Sequence, residues 1–181
     1  MKTDDLRWLE TAEPGWRPAS LPFLALKDTF VSGDDSGRRL QVRYYHCGGE
    51  RSLCAKILFG PLSQGPPGHA HGGGMAAILD EAMGGAAWLA GYPVVAAQLN
   101  ITFVNMLPLG TPALVRAEVT GIEGRKILTR ASLTDSAGEV EFSRGTGLFI
   151  SLDQEQVDRM PREAAEIVAQ ALARHNRDRT E

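Results

Sequence analysis

A histidine and three glycines, His71 to Gly74, stand where the chain is expected to enter a helix. The first amide groups of a helix lack an intrahelical acceptor and carry a partial positive charge, and glycine lets a ligand approach them closely. The amide of Gly72, with that of Gly73, is therefore a candidate donor to a carbonyl oxygen that gains negative charge during nucleophilic attack. His71 is placed to orient the same group or its leaving atom. The alternative is a glycine-rich loop that only turns the chain into a helix.

Two adjacent carboxylates follow in the middle of the same expected helix. Asp80 and Glu81 are flanked by alanine, isoleucine, leucine and methionine. A carboxylate in apolar surroundings is costly unless it is paired or hydrated, and such groups are often functional. Because neighbouring side chains point about 100° apart round a helix, the two cannot share one face. The pattern alone does not choose between them.

The distance between the two features has a consequence for assembly. Gly72 and Asp80 are eight residues apart, which is about 12 Å along a helix. One carbonyl carbon cannot touch both within a chain, so Asp80 would have to come from a second copy. A two-fold dimer with antiparallel helices would place each helix start beside the middle of the other. Gly73, Ala77, Gly84 and Gly85 would allow close approach, and we expect a homodimer with two shared sites.

Periodicity and turn residues indicate the elements that must position these groups. Strand patterns separated by turns occupy residues 39–46, 53–59, 94–105, 111–123, 125–135 and 139–151. An apolar helix is predicted over 74–90, ended by Gly91-Tyr92-Pro93. Hairpin succession predicts an antiparallel sheet, and a helix with few polar positions must be covered on most sides. We therefore expect an α+β fold in which about six strands curl round one long central helix.

The regions outside this core are predicted to be appendages. The domain limits are residues 1–38 for an N-terminal extension, 39–151 for the main domain and 152–181 for a C-terminal helix and tail. The extension is expected to hold one short helix near residues 4–11. The C-terminal helix is expected from 153 to about 175, where Pro161 interrupts it or marks its first turn.

Composition limits the partners and the compartment. The net charge of −3 provides no basic field for nucleic acid. The longest apolar stretch, 72–92, contains two carboxylates and many glycines, which argues against a membrane span. The first residues lack a secretory pattern, and a cytoplasmic protein is expected. Cys47 and Cys54 are interpreted as free, partly buried thiols; zinc is not expected because His46 is the one close additional ligand.

A loop, the helix start and parts of two strands carry a family resemblance. The residues concerned are Gly65 to Gly84, including Pro66-Pro67, His71-Gly72-Gly73 and Asp80, followed by Gln98 to Phe103, Pro108-Leu109-Gly110 and Phe149. They resemble hotdog-fold acyl-CoA thioesterases of the phenylacetate-pathway type, including mammalian mitochondrial members. The resemblance covers roughly residues 40–151. It implies a hotdog fold, with the sheet wrapped round the helix in a dimer or a dimer of dimers.

The resemblance also implies roles for individual residues. Asp80 becomes the general base or nucleophile, Gly72 donates its amide to the oxyanion, and His71 supports the thioester. The implied reaction is hydrolysis of an acyl-CoA to the free acid and CoA, with no metal and no separate cofactor. Relatives often carry Thr or Ser at the position that aligns with Ala96, which has no hydroxyl. That difference motivates an alternative, a non-catalytic acyl-CoA-binding or regulatory protein on the same fold.

Four more residues are candidates for substrate contacts. Gln64 belongs to the loop before His71 and is interpreted equally well as a site residue or a loop residue. Met83 packs the helix or shapes an acyl pocket. Arg125 and Lys126 are able to receive CoA phosphates, the alternative being solvated surface charge. A hotdog dehydratase or hydratase is less well supported, because the helix and the later strands contain no second histidine.

Overall fold

The computed structural model describes residues 3–25, 29–32, 34 and 36–169. In chain order the elements are α1 (Thr3–Glu10), β1 (Arg17–Pro18), β2 (Leu40–His46), β3 (Ser52–Phe59), α2 (Gly72–Leu89), β4 (Val94–Phe103), β5 (Ala113–Glu123), β6 (Lys126–Asp135), β7 (Glu141–Ser151) and α3 (Gln154–Asp158). Short 3-10 turns cover Pro22–Ala25 and Pro61–Ser63. Residues 162–169 are also helical.

The seven strands form one antiparallel sheet in the order β1-β2-β3-β5-β6-β7-β4. The consecutive strands β5, β6 and β7 are joined by tight turns, so they lie side by side. The helix α2 carries the chain from β3 across one face of the sheet to β4. Among the described residues β4 pairs with β7 alone, which makes it an edge strand of the described sheet.

Helix α2 is held by burial on most of its surface. Ile78, Leu79, Ala82 and Met83 are 0% exposed, and burying each large side chain contributes roughly 1.5–3 kcal/mol. At Gly85 a Cβ would lie 2.7 Å from a methyl group of Leu53, so a larger residue there would have to displace that side chain. An apolar helix of this kind is stable in water because the sheet covers it. The predicted wrapping of the sheet round a central helix is confirmed.

The predicted boundaries are largely confirmed. Each of the six predicted strands is present, with its ends displaced by at most two residues. The helix begins at Gly72, two residues before the predicted start, because the side chain of His71 caps it. The short strand β1 was not expected. It pairs Arg17 with His46 and Pro18 with Tyr45, and two residues ending in proline give no alternation to detect.

The C-terminal helix is interrupted at Pro161, as the sequence allowed, so it forms two pieces. The first piece, α3, is started by a reciprocal capping box between Asp153 and Gln156, and it ends at Asp158. A second helical piece covers residues 162–169, directly after Pro161. Proline cannot continue a helix but suits its first turn. Positions 170–175 of the prediction lie outside the described residues.

The N-terminal extension packs on the sheet, and its predicted short helix is confirmed as α1. Leu9 is 1% exposed, and its carbonyl oxygen accepts a hydrogen bond of 2.5 Å from the hydroxyl of Tyr45. Leu21 and Val31 are buried in the same core as α2. Lys56 also binds this segment from the sheet face opposite α2, since its neighbours Ala55 and Ile57 face the core.

The expectation of two free thiols is wrong, because Cys47 and Cys54 form a disulfide with a Cα–Cα distance of 5.8 Å. Cys54 pairs with Tyr45 across the hairpin of β2 and β3, and Cys47 lies just beyond the end of β2. The hairpin therefore brings the two sulfurs together.

In the part of the chain that the structure describes, no helix is long and apolar enough to cross a membrane.

Candidate active site

The start of α2 is organised by His71. This residue has extended backbone angles, φ −67° and ψ 134°, and its ring Nδ1 accepts a hydrogen bond of 2.9 Å from the amide of Gly73. The amides of Gly74 and Met75 donate to the carbonyl oxygen of His71 at 2.9 and 3.2 Å. Because Nδ1 accepts, a neutral His71 ring carries its proton on Nε2. The side chain is exposed, and Nε2 has no acceptor among the residues that the structure describes.

The amide of Gly72 is the unused donor at this helix end. It has no acceptor among the residues that the structure describes, as expected for the first amide of a helix. The ring of Phe103 lies beside this residue, since a Cβ on Gly72 would be 3.4 Å from the ring edge. The predicted oxyanion donor is therefore open, whereas the amide of Gly73 is used by the cap.

The loop before His71 is braced from several directions. The amide of His71 donates to Ser63 at 2.7 Å, and that of Ala70 donates to Leu107 at 2.8 Å. The side-chain oxygen of Gln64 accepts from the amide of Gly68 at 3.0 Å, so this predicted contact residue closes its own loop. The loop holds the histidine in place without using its ring.

Asp80 is half-buried and has no hydrogen-bond or ion-pair partner within the described part of the chain. Burial raises the pKa of this carboxyl above its ordinary value of 3.8. A higher pKa makes the ionised group a stronger base than a solvated aspartate. Partial exposure leaves its oxygens accessible from outside the chain.

Glu81 has the opposite environment, although it is adjacent. The hydroxyl of Tyr44 donates to its carboxylate, and Ser32 supplies a second hydrogen bond. Burial raises the pKa of Glu81, the two hydrogen bonds lower it, and the nearby charge of Asp80 raises it. Burial and the same carboxylate also raise the pKa of Tyr44 well above 10.0. Glu81 is thus held inside the chain, and Asp80 is the carboxylate left open.

One stripe of α2 is incompletely covered by the sheet. It consists of residues that recur every three or four positions, namely Gly73, Ala77, Asp80, Gly84 and Trp88, each of them at least partly exposed. Because α2 is continuous from Gly72 to Leu89, the helix keeps Asp80 a full eight residues from the open amide. The chain brings His71, Gly72 and Gly73 together and leaves Asp80 apart.

The remaining predicted contact residues lie elsewhere. Met83 is fully buried between helix and sheet. Arg125 binds Asp153 at 2.8 Å and the carbonyl oxygen of Ser151 at 3.0 Å. Lys126 pairs with Ile150, the residue that also pairs with the start of β4. Arg125 and Lys126 therefore lie near Val95, at the opposite end of β4 from Phe103. The eight residues from Val95 to Phe103 span about 26 Å at roughly 3.3 Å per residue.

Strand β4 contributes a feature that the sequence reasoning missed. Phe103, at the end of this strand, is 53% exposed, and its ring lies beside Gly72. The signal was present, because Leu99 and Ile101 alternate with polar residues and pack on the core, which places Phe103 on the helix side. Ala96 is exposed on the same strand, just before a register shift against β7.

The arrangement suits chemistry at a carbonyl group. An open helix-start amide can stabilise negative charge on oxygen, and an unpaired carboxylate of raised pKa can take a proton from water. Within the described residues no cluster of three or more His, Cys, Asp or Glu could hold a metal ion.

Sequence comparison identifies relatives of the central segment. A family model, the Thioesterase superfamily, matches residues 67–142, which include α2 and strands β4 to β6. The chain is similar to mouse (Mus musculus) acyl-coenzyme A thioesterase THEM5, with 33% identity over 117 residues, 64% of this chain and 46% of THEM5. The chain spans about half the length of the curated relatives it matches.

Comparison with solved structures also finds thioesterases. A crystal structure of a thioesterase superfamily protein aligns with a TM-score of 0.57 at 30% identity, covering 61% of this chain and 54% of that one. The E. coli PaaI protein from the phenylacetic acid degradation operon aligns with a TM-score of 0.56 at 14% identity, covering 63% and 80%. At that identity, PaaI supports the fold alone.

Proposed function

Because residues 67–142 match the Thioesterase superfamily model, we propose that this protein hydrolyses acyl-CoA thioesters to the free acid and CoA. The observation that carries the proposal is the contrast within α2. Its first amide is open at Gly72, and its one unpartnered carboxylate, Asp80, has a raised pKa. Each of the two groups supplies half of what thioester hydrolysis requires.

The two halves are proposed to meet in a two-fold homodimer. Strand β4 has a free edge in the described sheet, and such an edge is a template for another strand. Val95, Phe103 and Met106 are 48%, 53% and 63% exposed along and just after it. Antiparallel pairing of two β4 strands would also run the two α2 helices antiparallel. The half-covered stripe of each helix would then place its Asp80 towards the start of the other.

In this dimer the reaction would proceed by water attack. Asp80 of one protomer takes a proton from water as the water oxygen bonds to the thioester carbon. The carbonyl oxygen becomes negative and is held by the Gly72 amide of the other protomer. When the carbon–sulfur bond breaks, the electron pair leaves with sulfur, and the Nε2 proton of His71 stabilises the departing thiolate. The proton that Asp80 took from water then passes to this thiolate, which restores the Asp80 carboxylate. The products are the free acid and CoA.

The same symmetry gives a role to the distant cations. Antiparallel pairing of β4 would put the partner's Lys126 and the partner's Arg125 near Phe103 and Gly72 of this chain. Arg125 already binds Asp153 and Ser151, which leaves Lys126 as the freer charge for a CoA phosphate. No ion pair or hydrogen bond engages Lys126 in the described chain.

A panel of acyl-CoAs of different chain lengths, including aryl acyl groups, tests the proposal through release of free thiol. Wild-type protein should release thiol, and Asp80→Ala should not. Glu81→Gln is the matched control, because it neutralises the neighbouring carboxylate. No release above background across the panel would contradict the thioesterase activity. Equal release by wild type and Asp80→Ala would contradict the role of Asp80.

A second candidate is an acyl-CoA-binding protein without turnover. Ala96 favours it, because a residue with no hydroxyl stands on the exposed strand where relatives often carry Thr or Ser. Calorimetric binding of an acyl-CoA that stays intact over hours would support this candidate against hydrolysis. Thiol release that is lost with Asp80→Ala would exclude it.

A further inference from the structure

A trough of about 790 Å³ crosses the sheet face opposite α2. Its rims are two rows of side chains in register across neighbouring strands. One row holds Arg116, Ser132 and Arg144, and the other holds Glu118, Arg130 and Thr146. The volume is in the range of small-molecule sites, roughly 300–1,000 Å³. The sheet separates this trough from the candidate active site.

Strand geometry explains the shape. Positions two apart on a strand share a face and are about 7 Å apart, while the residue between them points to the other side. Ala117 and Ala131, between the rows, are buried in the core, and the next position in that row is Gly145. The floor between the two rows is therefore low, and the long side chains rise on either side.

The charges of the trough are not fully balanced. Arg130 is paired with Glu118 across the strands, and Arg144 contacts Glu141 at 2.5 Å. Arg116 and the hydroxyl of Ser132 have no partner in the described part of the chain. With strands about 4.8 Å apart, the backbones of Arg116 and Arg144 are about 10 Å apart with Ser132 between them. Two guanidinium groups beside a hydroxyl form a ready set of donors for a phosphate.

We propose that this trough binds the phosphate group of a nucleotide between Arg116 and Arg144, with the Ser132 hydroxyl as a third donor. Trp16 borders the trough on the β3 side, half-buried, with its ring 5.7 Å from that of Tyr45. A fixed aromatic wall beside a cationic row suits a planar base attached to the phosphate. The proposal stands whether or not α2 carries thioesterase activity.

A small anion fits the trough better than a second copy of the chain. The N-terminal segment already covers the adjacent part of this face, held there by Lys56. Each trough holds three arginines, Arg116, Arg130 and Arg144, against two glutamates, Glu118 and Glu141, which are already engaged. Two copies meeting over the trough would therefore bring two faces with excess positive charge together. Like charges in contact disfavour such an interface.

Isothermal titration calorimetry of the full chain with ADP, inorganic phosphate and adenosine tests the site. ADP should bind, phosphate should compete with it, and adenosine should bind much more weakly. Arg116→Gln should weaken ADP binding by about tenfold or more, because a charge-assisted hydrogen bond contributes on the order of one tenfold step. Arg162→Gln is the matched control, an exposed arginine on the C-terminal helix whose partner is Glu166. Thermal melting verifies that each variant is folded.

Three outcomes would overturn the proposal: no ADP binding at millimolar concentration, equal binding by Arg116→Gln and wild type, or loss of a higher oligomer with Arg116→Gln in light scattering. If the protein hydrolyses acyl-CoA, the KM of Arg116→Gln shows whether the bound nucleotide is part of CoA or a separate molecule. A KM raised by Arg116→Gln with kcat unchanged identifies the nucleotide of CoA. An unchanged KM with weaker ADP binding identifies a separate nucleotide. Either result supports the site, and calorimetry decides it even when no hydrolysis occurs.

Discussion

Lys56 and Asp80 are both charged groups withdrawn from water, and the molecule treats them in opposite ways. Lys56 is 1% exposed. Its ammonium group donates to Thr11 at 2.7 Å, to Trp8 at 3.3 Å and to Glu13 at 2.6 Å, and it lies 4.7 Å from the centroid of the Trp8 ring. All three of its protons have acceptors. Asp80 has no such partner in the described chain, and burial raises its pKa.

The difference in hydrogen-bond partners indicates that Lys56 has a structural role and Asp80 a reactive one. A buried charge whose hydrogen bonds are complete holds elements together, here the N-terminal segment against the outer face of the sheet. A half-buried charge without partners costs stability and gains proton affinity. Glu81 lies between the two cases, since Tyr44 and Ser32 satisfy it although it adjoins Asp80. Variants in the two regions should therefore affect different measurements.

The largest effect is expected at the open amide. Gly72→Pro removes this N–H at the first helical position, where proline is tolerated, and His71 already has the extended angles that precede proline. We expect kcat for thioester hydrolysis to fall by about 10²–10³, with little change in melting temperature. Gly72→Ala keeps the amide and is the control. Equal kcat values for the two variants would exclude this donor.

Mixing two inactive variants tests whether the sites are shared between protomers. Gly72→Pro and Asp80→Asn should each be inactive alone. Random reassortment would make about half of the dimers mixed, each with one intact site, so activity should return to about a quarter of wild type. Thiol release after unfolding and refolding the mixture measures this recovery. No recovery, with mixed dimers verified by differential tagging, would place both groups in one protomer.

Lys56 should affect stability and leave catalysis alone. Lys56→Met retains the apolar stem but leaves the carbonyl oxygens of Trp8 and Thr11 without a donor. A loss of about 1–3 kcal/mol in the free energy of unfolding is expected, from chemical denaturation. Glu13→Gln retains an acceptor and should cost less than about 1 kcal/mol, because Glu13 is half exposed. A change in kcat without a change in stability would contradict the separation of roles.

The sequence predicted much of the helix site because its signals are local. Glycines after His71, the apolar run and the terminating Gly91-Tyr92-Pro93 lie within one element, and period and turn residues located the strands. The start of α2 was displaced because the histidine ring acts as the cap. Asp80 could not be distinguished from Glu81 by pattern, since the deciding partner, Tyr44, is 37 residues away in sequence.

The outer face was harder to predict because its contacts are long-range. Lys56 occupies an ordinary polar position of an alternating strand, and its partners are 43 to 48 residues earlier. The disulfide was within reach of prediction, since the expected hairpin already brings Cys47 and Cys54 together. The trough requires the register of three strands, which hydrophobic periodicity does not supply.

The pH dependence of the free energy of unfolding distinguishes Asp80 from a charge with complete hydrogen bonds, such as Lys56. Its folded pKa is raised above 3.8, so the folded protein holds this proton more tightly than the unfolded chain does. The ionised carboxylate therefore destabilises the fold at pH above the folded pKa, and this penalty disappears as pH falls below the unfolded pKa. Asp80→Asn should be more stable than wild type at neutral pH, with the difference shrinking towards pH of about 4. Denaturation across this range measures it, and a difference independent of pH would contradict the unpartnered environment.

The smallest effect is expected at the cation proposed to reach a CoA phosphate. Lys126 is exposed at the far end of β4 from Gly72 in its own chain, so it can assist only through the two-fold pairing. Lys126→Gln should raise KM for acyl-CoA by about 2- to 5-fold, the range of a solvated ion pair, with kcat unchanged. The acyl-pantetheine substrate, which lacks the nucleotide, should show no change and is the control. A shift in KM for both substrates would mean that Lys126 acts through the structure of the sheet and does not contact the CoA phosphate. Lys126 would then be a structural charge, like Lys56, and not a substrate-binding one.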